Sequence, residues 1–377
     1  MSDLTIEAVS GKKQLVEFIQ FPFSLYKGDP CWVPPLIEER LEFFDPAKNP
    51  FYEHSRVQHF LARSNGKVVG TIVGVIDDHY NSFHDEKMAG FGFLEAPDDP
   101  DIAAALFEAA ENWGRAQGMT FIRGPLNFGT NQELGTLIDG PREPPFFMMT
   151  YNPPYYPSLI EREGYAKAKD LYAWIFDIEP AFKAAPEKFF KVGDRALKNA
   201  GLTIRKIDMK NYWKDVEVIK AAYNGAWERN WGFVPMTDHE VDHLARSLKP
   251  IMDPDIVFIA ETADGTPAGL ALNMPDIHQA LRLSGGGRYW PLGLPRFMWH
   301  RRHIDQVRLM LVGVLPGYRG RGIDGACLLE TARTTLQKGY KRLEGSWILE
   351  DNDDMNLIIE RVGGRHYKTY RVYQKDL

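Results

Sequence analysis

The chain repeats itself at long range, and this internal similarity limits its fold more than any other feature of the 377 residues. Residues 60–70 resemble residues 258–269. Each segment has the pattern of a strand, a tight turn at Asn65-Gly66 or Asp264-Gly265, and a second strand. The repeat therefore predicts the same β-hairpin in both halves of the chain.

Two further matches follow in the same order. Residues 117–131 align without gaps to 338–352, and residues 161–169 align to 360–368. Three matches in one order predict a tandem duplication with domains at 1–180 and 200–377, joined by a connecting helix over 179–199. The first half also contains a run rich in Pro and Tyr at 144–156, which predicts an ordered loop.

The hairpin in each half is followed by a strand–helix–strand pattern. Residues 325–338 have apolar side chains at helical spacing, and residues 102–113 repeat that spacing in the first half. The predicted fold class is α/β with α+β character. It consists of two tandem domains, each a mixed and mostly antiparallel sheet flanked by helices.

Composition limits the class of protein. The chain is 44% apolar and 25% charged, which is enough apolar material for a packed core. Its net charge is -6 without a basic tract, so no nucleic-acid partner is expected. Cys31 and Cys327 are far apart and no Cys/His cluster exists, so neither a disulfide framework nor a bound metal is expected. The polar N-terminus and short apolar runs predict a cytoplasmic protein without a membrane span.

A glycine-rich loop follows the predicted strand 306–314. The chain turns at Pro316-Gly317, continues through Arg319-Gly320-Arg321-Gly322, and enters the predicted helix. Glycines let backbone N–H groups approach a ligand closely, and a helix N-terminus and two arginines both favour negative charge. The loop therefore predicts a site for phosphate or pyrophosphate.

Two other interpretations of this loop are open. Gly320, Gly322 and Gly325 formally fit the dinucleotide fingerprint, and Glu344 lies about where the ribose-binding acid would be. That fingerprint normally follows its strand directly at the start of a large βαβ domain, and here it does neither. The other interpretation is a glycine-rich turn with solvated arginines.

The segment from Val314 to Gly322 resembles the signature motif Val-x-Pro-x-x-Arg-Gly-x-Gly of the GNAT superfamily of acyl-CoA-dependent N-acyltransferases. The spacing of Asn352, Leu357 and Gly363 is similar to the second motif of that family. The resemblance implies a GNAT-like fold for each half and acetyl-CoA or another acyl-CoA as co-substrate. The CoA-binding residues that it implies are Val312, Gly313, Val314, Arg319, Gly320, Arg321, Gly322, Ile323, Asp324 and Asn352.

The sequence departs from the family pattern at two positions. Asp324 stands where the loop normally has a small residue, and a carboxylate beside a pyrophosphate is unfavourable unless it caps the helix or the arginines neutralise it. Ile359 stands where many members have a tyrosine that acts as general acid. Transfer would then need another way to protonate the leaving thiolate.

The matching loop of the first half differs in charge. It has Glu95, Asp98, Asp99 and Asp101 and no arginine before the helix at 102–113. Acidic side chains at a helix N-terminus satisfy the helix dipole and repel phosphate. We therefore expect the first half to be a degenerate copy that does not bind CoA at this loop.

Glu350 is the first candidate for the general base, since it follows the predicted strand 343–349 beside the expected thioester. A solvated carboxylate at a strand end is the alternative. Asp276 and His278 follow the second hairpin strand and are further candidates for the same cleft. The aromatic residues of 227–235 would line either an acceptor pocket or the core.

These observations predict an N-acyltransferase, with acetyl transfer as the first expectation, that passes an acyl group from acyl-CoA directly to an amine. The acceptor would be a small molecule or a peptide. The competing hypothesis is a non-catalytic CoA-binding sensor or structural protein that kept the fold. A dinucleotide-dependent oxidoreductase is a third hypothesis, and it requires binding of NAD.

Overall fold

A computed structural model of the chain describes residues 4–184, 195, 197–198, 201–226, 230–288 and 291–377. Its contacts divide the chain into two compact units. Unit 1 contains residues up to Leu171, Ala280–His300 and Lys368–Leu377, and unit 2 contains Tyr172–Gln279 and Arg301–Tyr367. The domain limits 1–180 and 200–377 stay predictions, and most of the expected connecting helix over 179–199 lies outside the described residues.

The first half of the chain alternates strands and helices. Its elements are β1 (Leu4–Ala8), α1 (Lys12–Leu25), α2 (Ile37–Phe43), β2 (Ser55–Ser64), β3 (Lys67–Asp77), α3 (Asp78–His84), β4 (Met88–Glu95), α4 (Pro100–Ala116), β5 (Phe121–Gly124), β6 (Leu126–Asn127), β7 (Glu133–Leu134), β8 (Thr136–Asp139), α5 (Tyr156–Arg162) and β9 (Ala166–Asp177).

The second half repeats the order of the main elements. Its elements are α6 (Ile178–Ala184), β10 (Leu202–Lys206), α7 (Tyr212–Ala226), α8 (Asp238–Leu248), β11 (Val257–Thr262), β12 (Pro267–Pro275), α9 (His278–Leu283), α10 (Gly293–His300), β13 (Gln306–Val314), α11 (Ile323–Gln337), β14 (Arg342–Leu349), α12 (Asp353–Arg361) and β15 (Arg365–Asp376).

The main sheet of each unit is mixed and mostly antiparallel. In unit 1 the order is β1-β2-β3-β4-β5, with the last residues of β15 paired to β5. In unit 2 the order is β10-β11-β12-β13-β14. In each sheet the pair that flanks the long helix, β4 with β5 or β13 with β14, is parallel. The predicted fold class is therefore confirmed.

The duplication extends to backbone irregularities. The register of β2 with β3 shifts after Ala62, and the register of β11 with β12 shifts after Ala260, which is the matching residue of the repeat. The first hairpin turns at Asn65 and Gly66, both with positive φ, as a two-residue turn requires. Local sequence thus sets corresponding bends in both copies.

Each unit packs its long helix on its own sheet. In unit 1, Leu106 and Phe107 of α4 join a cluster with Phe91 of β4. In unit 2, Ile323 and Cys327 of α11 join a cluster with strand residues of β11 and β12. The helices predicted at 102–113 and 325–338 are both observed, with ends displaced by one to three residues.

The acidic loop of the first half contains a partly buried carboxyl that accepts two hydrogen bonds. The hydroxyls of Tyr26 and Tyr156 donate to Glu95 over 2.6 and 2.8 Å. Burial raises the pKa of Glu95 to about 7, against the opposing effect of the two hydroxyls. The native carboxyl therefore keeps its proton to a higher pH than the unfolded one.

The contribution of Glu95 to the stability of unit 1 should therefore fall as pH rises from about 4.5 to about 7. Gln does not titrate, so Glu95→Gln removes this pH dependence. Over that interval the free energy of unfolding of the variant should rise relative to that of the wild type, by up to about 3 kcal/mol. Thermal unfolding of both proteins at several pH values measures the difference. The exposed Asp98→Asn variant is the control, and a pH-independent difference for Glu95→Gln would contradict the assignment.

Candidate functional site

Strands β13 and β14 separate partway along their length. They pair from Gln306 with Arg342 to Leu309 with Gly345, and no pairing follows. On its other side β13 stays paired with β12 as far as Val314, with Met310 as an extra residue in the ladder. A bulge bends a strand and increases its twist. The bend leaves one backbone edge of β13 open from Met310 to Val314.

A cavity of about 410 Å³ lies where the two strands separate. This volume is within the range of small-molecule sites, about 300–1,000 Å³. All of its walls belong to unit 2, and most are apolar. The apolar lining side chains are Phe176, Ile178, Ala181, Phe182, Leu309, Met310, Leu311, Val312, Leu328, Leu329, Ala332, Leu343, Trp347, Ile348, Leu349, Met355, Ile358, Ile359 and Val362.

The glycine-rich loop leads from β13 to helix α11. Gly317, Gly320 and Gly322 have φ of 88°, 74° and 75°, a region that favours glycine. Gly322 is the N-cap of α11, and no side chain caps this helix. The backbone N–H groups of the first turn and the positive end of the helix dipole are therefore available to an anion.

The corresponding helix of the first half is closed by its own side chains. Asp99 is the N-cap of α4, and its carboxylate accepts from the backbone N–H groups of Asp101 and Ile102. The two copies thus differ at the same place, because one helix N-terminus is capped by an acid and the other is open.

The two arginines brace the loop from its exposed side. Arg319 donates to the carbonyl oxygen of Gly225 over 3.0 Å, and Arg321 donates to that of Gly317 over 3.0 Å. The guanidinium of Arg321 also lies 5.2 Å from the ring centre of Tyr318. In the chain, Arg321 directly precedes the N-cap residue Gly322, and Arg319 lies three residues before it.

Asp324 lies in the first turn of α11 and lines the cavity. It does not cap the helix, since the cap position is Gly322. Its half-buried carboxylate has no hydrogen-bond or ion-pair partner within the described part of the chain. The site thus holds one negative group between the loop and the apolar walls.

Asn352 and Ile359 also line the cavity. The side-chain oxygen of Asn352 accepts from the backbone N–H of Met355 and so caps α12, which leaves its amide nitrogen for other contacts. Ile359 is buried in α12, where it offers no proton. Glu350 lies in the turn between β14 and α12, partly buried and adjacent to the lining residue Leu349.

A buried ion pair stands directly beside the point where the strands separate. Arg308 and Glu344 are register partners, and their side chains approach to 3.4 Å. Arg308 also donates to the carbonyl oxygen of Ser346, and its guanidinium lies 5.1 Å from the ring of Trp347. Removing one partner of a buried pair leaves an uncompensated charge, so a change at either residue alone should destabilise this part of the sheet.

From the sequence, Glu344 is a candidate only for binding a ribose, and Arg308 is not a candidate for any role. A usable signal was present, since each of these opposite charges interrupts an apolar strand segment, at Val307-Arg308-Leu309 and Leu343-Glu344-Gly345. Their pairing requires the register of β13 with β14, which the sequence does not state.

The other candidates lie elsewhere. Asp276 bonds through its backbone to Gln306, at the end of β13 away from the loop, and neither it nor His278 lines the cavity. In the segment 227–235, residues 227–229 lie outside the described residues, Asn230 lines the cavity, and Phe233 and Val234 are buried.

Burial, with smaller effects from Asp324 and Glu330, raises the pKa of the Cys327 thiol to about 12, so it is a poor nucleophile. Within the described ranges, no three His, Cys, Asp or Glu side chains are placed to hold a metal ion. None of the helices in those ranges is both long and apolar enough to cross a membrane.

No protein-family model matches the chain. The bacterial ceramide synthase of Caulobacter vibrioides is 36% identical over 383 positions, covering 100% of this chain and 98% of that protein. Protein YghO of Escherichia coli is 36% identical and covers 97% of this chain and 94% of its own.

Solved structures share the fold at low identity. A tandem GNAT protein from the clavulanic acid biosynthesis pathway has a TM-score of 0.59 at 14% identity, with 99% of this chain and 98% of that chain covered. A GCN5-related N-acetyltransferase from Sphaerobacter thermophilus has a TM-score of 0.52 at 13% identity, with 98% and 95% covered. The chain thus shares the fold of tandem GNAT proteins, and it belongs to the family that includes the bacterial ceramide synthase of Caulobacter vibrioides and YghO.

Proposed function

We propose that this protein is an acyl-CoA-dependent N-acyltransferase that joins a long-chain acyl group to the amino group of a long-chain amino alcohol. The observation that carries the proposal is the apolar cavity between β13 and β14, which lies beside an uncapped helix N-terminus. The name of the Caulobacter relative supports the substrate class, since a ceramide is the amide of a fatty acid and a sphingoid base.

The site fits the three parts of an acyl-CoA. The open N-terminus of α11 with Arg319 and Arg321 suits the pyrophosphate. The open edge of β13, including Val312, Gly313 and Val314, offers backbone groups to the amides of the pantetheine arm. The cavity suits the acyl group. Asn352 would donate to the pantetheine arm through its free amide nitrogen.

The shape of the cavity supports a long chain over an acetyl group. Its lining residues on α11 run from Asp324 to Thr335, and that stretch of helix is about 16 Å long. An acetyl group would leave most of this apolar wall uncovered, whereas a long acyl chain would bury it at about 25 cal/mol per Å². The initial expectation of acetyl transfer therefore gives way to long-chain transfer in this proposal.

In the proposed reaction the neutral amine attacks the thioester carbonyl carbon, the amide C–N bond forms, and the C–S bond breaks. The amine proton passes to a base, for which Glu350 is proposed, and CoA leaves as the thiolate. Thiols have a pKa near 8.5. The leaving group is therefore stable enough to depart without a tyrosine acid, which makes Ile359 compatible with turnover.

The non-catalytic alternative keeps two observations in its favour. Ile359 supplies no acid, and the unpartnered carboxylate of Asp324 stands next to the proposed anion site. Under this alternative the protein would bind CoA or acyl-CoA without turnover.

We place the protein in the cytoplasm, where acyl-CoA is formed and where the free thiols of Cys31 and Cys327 stay reduced.

Thiol release from palmitoyl-CoA and acetyl-CoA, with sphinganine and ethanolamine as acceptors, tests the proposal. We expect release only with palmitoyl-CoA and sphinganine together, and mass spectrometry should show the amide. Glu350→Gln should lower kcat by about 10²- to 10⁴-fold with unchanged KM for acyl-CoA, while the exposed Asp354→Asn control should not. Binding of acyl-CoA without thiol release would instead support the sensor.

Chain-length preference can be tested by narrowing the cavity. A Cβ atom added at Gly325 would meet no atom of another part of the protein within 4 Å, and Gly325 lines the cavity, so Gly325→Leu should fold and fill part of that space. We expect kcat/KM for palmitoyl-CoA to fall about tenfold or more relative to that for butanoyl-CoA. Glu330→Leu adds the same side chain to α11 outside the cavity as the control. An unchanged chain-length profile in Gly325→Leu would contradict a role of this cavity in acyl binding.

A further inference from the structure

Exposed apolar side chains concentrate on one short segment of unit 1. Five of the nine large hydrophobic residues that are exposed in the described part of the chain fall between Leu283 and Trp299. Their exposed fractions are 52% for Leu283, 57% for Leu292, 43% for Leu294, 49% for Met298 and 63% for Trp299. Contiguous exposed apolar groups on a folded domain commonly mark a binding surface.

These side chains share one face of helix α10. At 3.6 residues per turn, Leu294, Pro295, Met298 and Trp299 fall within an arc of about 140°. The opposite face carries the buried Gly293 and the half-buried Phe297. The helix therefore turns its apolar face away from the protein. We call Leu292, Leu294, Met298 and Trp299, with the exposed Arg296 beside them, the α10 surface.

The chain segment that carries this surface is basic. From Leu281 to Ile304 the sequence contains five arginines, two histidines and no acidic residue, although the whole chain has a net charge of -6. Arg296 lies in α10, and Arg301 and Arg302 follow it directly in the next turn. Concentrated positive charge beside exposed Leu, Met and Trp is the combination found in helices that lie in the interface of anionic membranes.

The segment is tied to the rest of unit 1 just before residues 289–290, which lie outside the described residues. The backbone N–H of Ile37 donates to the carbonyl oxygen of Gly287 over 2.8 Å, and Arg282 donates to that of Pro30 over 3.2 Å. Gly287 has a positive φ, and a side chain there would meet Phe23. A fixed, already helical surface loses little conformational entropy on docking.

We propose that the α10 surface docks on the surface of an anionic phospholipid bilayer, with Leu294, Met298 and Trp299 inserted among the acyl chains near the headgroups. The exposed Arg296 and Arg302 would contact lipid phosphates, each worth about 1 kcal/mol near an anionic leaflet. A second copy of the chain fits less well, because a two-fold contact would bring two arginine clusters together. The inference does not require the proposed acyl-transfer activity, since membrane binding and thiol release are measured separately.

Vesicle flotation of the full-length protein tests this inference. We expect binding to vesicles of phosphatidylcholine mixed with phosphatidylglycerol to be about tenfold or more tighter than to phosphatidylcholine alone. The triple variant Leu294→Ser/Met298→Ser/Trp299→Ser should lose about tenfold or more of that affinity. Arg296→Glu should weaken binding to the mixed vesicles more than to the neutral ones.

Phe83→Ser/Trp213→Ser removes two other exposed aromatic side chains and is the matched control, expected to bind as the wild type does. Single Trp299→Ser serves if the triple variant unfolds at a lower temperature than the wild type. The inference is overturned if the wild type does not bind anionic vesicles, or if the α10 variants bind them as tightly as the control does. Self-association would explain the surface instead if the wild type sediments as a dimer without lipid and Trp299→Ser sediments as a monomer. That result would also overturn the inference.

Discussion

The separation of β13 from β14 beyond Leu309 and Gly345 is the constraint on which the candidate site depends. A sheet whose strands stay paired has no space between them and no free backbone edge. The extra residue Met310 bends β13 while it stays paired with β12, and the buried pair of Arg308 and Glu344 joins β13 to β14 just before the strands part. The cavity, its apolar walls and the open edge all follow from this geometry.

The two copies of the fold show how small a change separates a proposed anion site from a closed one. Both place a long helix after the strand that runs parallel to its neighbour. In the first copy the carboxylate of Asp99 occupies the backbone N–H groups at the helix N-terminus, and in the second copy Gly322 leaves them open. The residue type at the cap therefore determines which copy leaves its backbone N–H groups open to an anion.

Much of the fold was predictable because its signals are local. The duplicated hairpins, the strand 306–314, the helix after the glycine-rich loop and the acidic loop of the first copy all come from turn residues and apolar spacing. The bulge at Met310 and the pairing of Arg308 with Glu344 depend on register, which long-range strand pairing sets. The α10 surface was also missed, because its apolar residues follow the pattern of a buried helix and only the structure shows them exposed.

The central claim is that CoA binds one loop of the duplicated fold through an open helix N-terminus and its arginines. Calorimetric titration of CoA into the double variants Arg319→Ala/Arg321→Ala and Asp98→Asn/Asp99→Asn compares the two loops directly. The account predicts that the arginine variant loses about tenfold or more in affinity, since charge-assisted contacts to phosphate are each worth about 1.5–3 kcal/mol. It predicts no change for the aspartate variant, and equal effects of the two variants would contradict it.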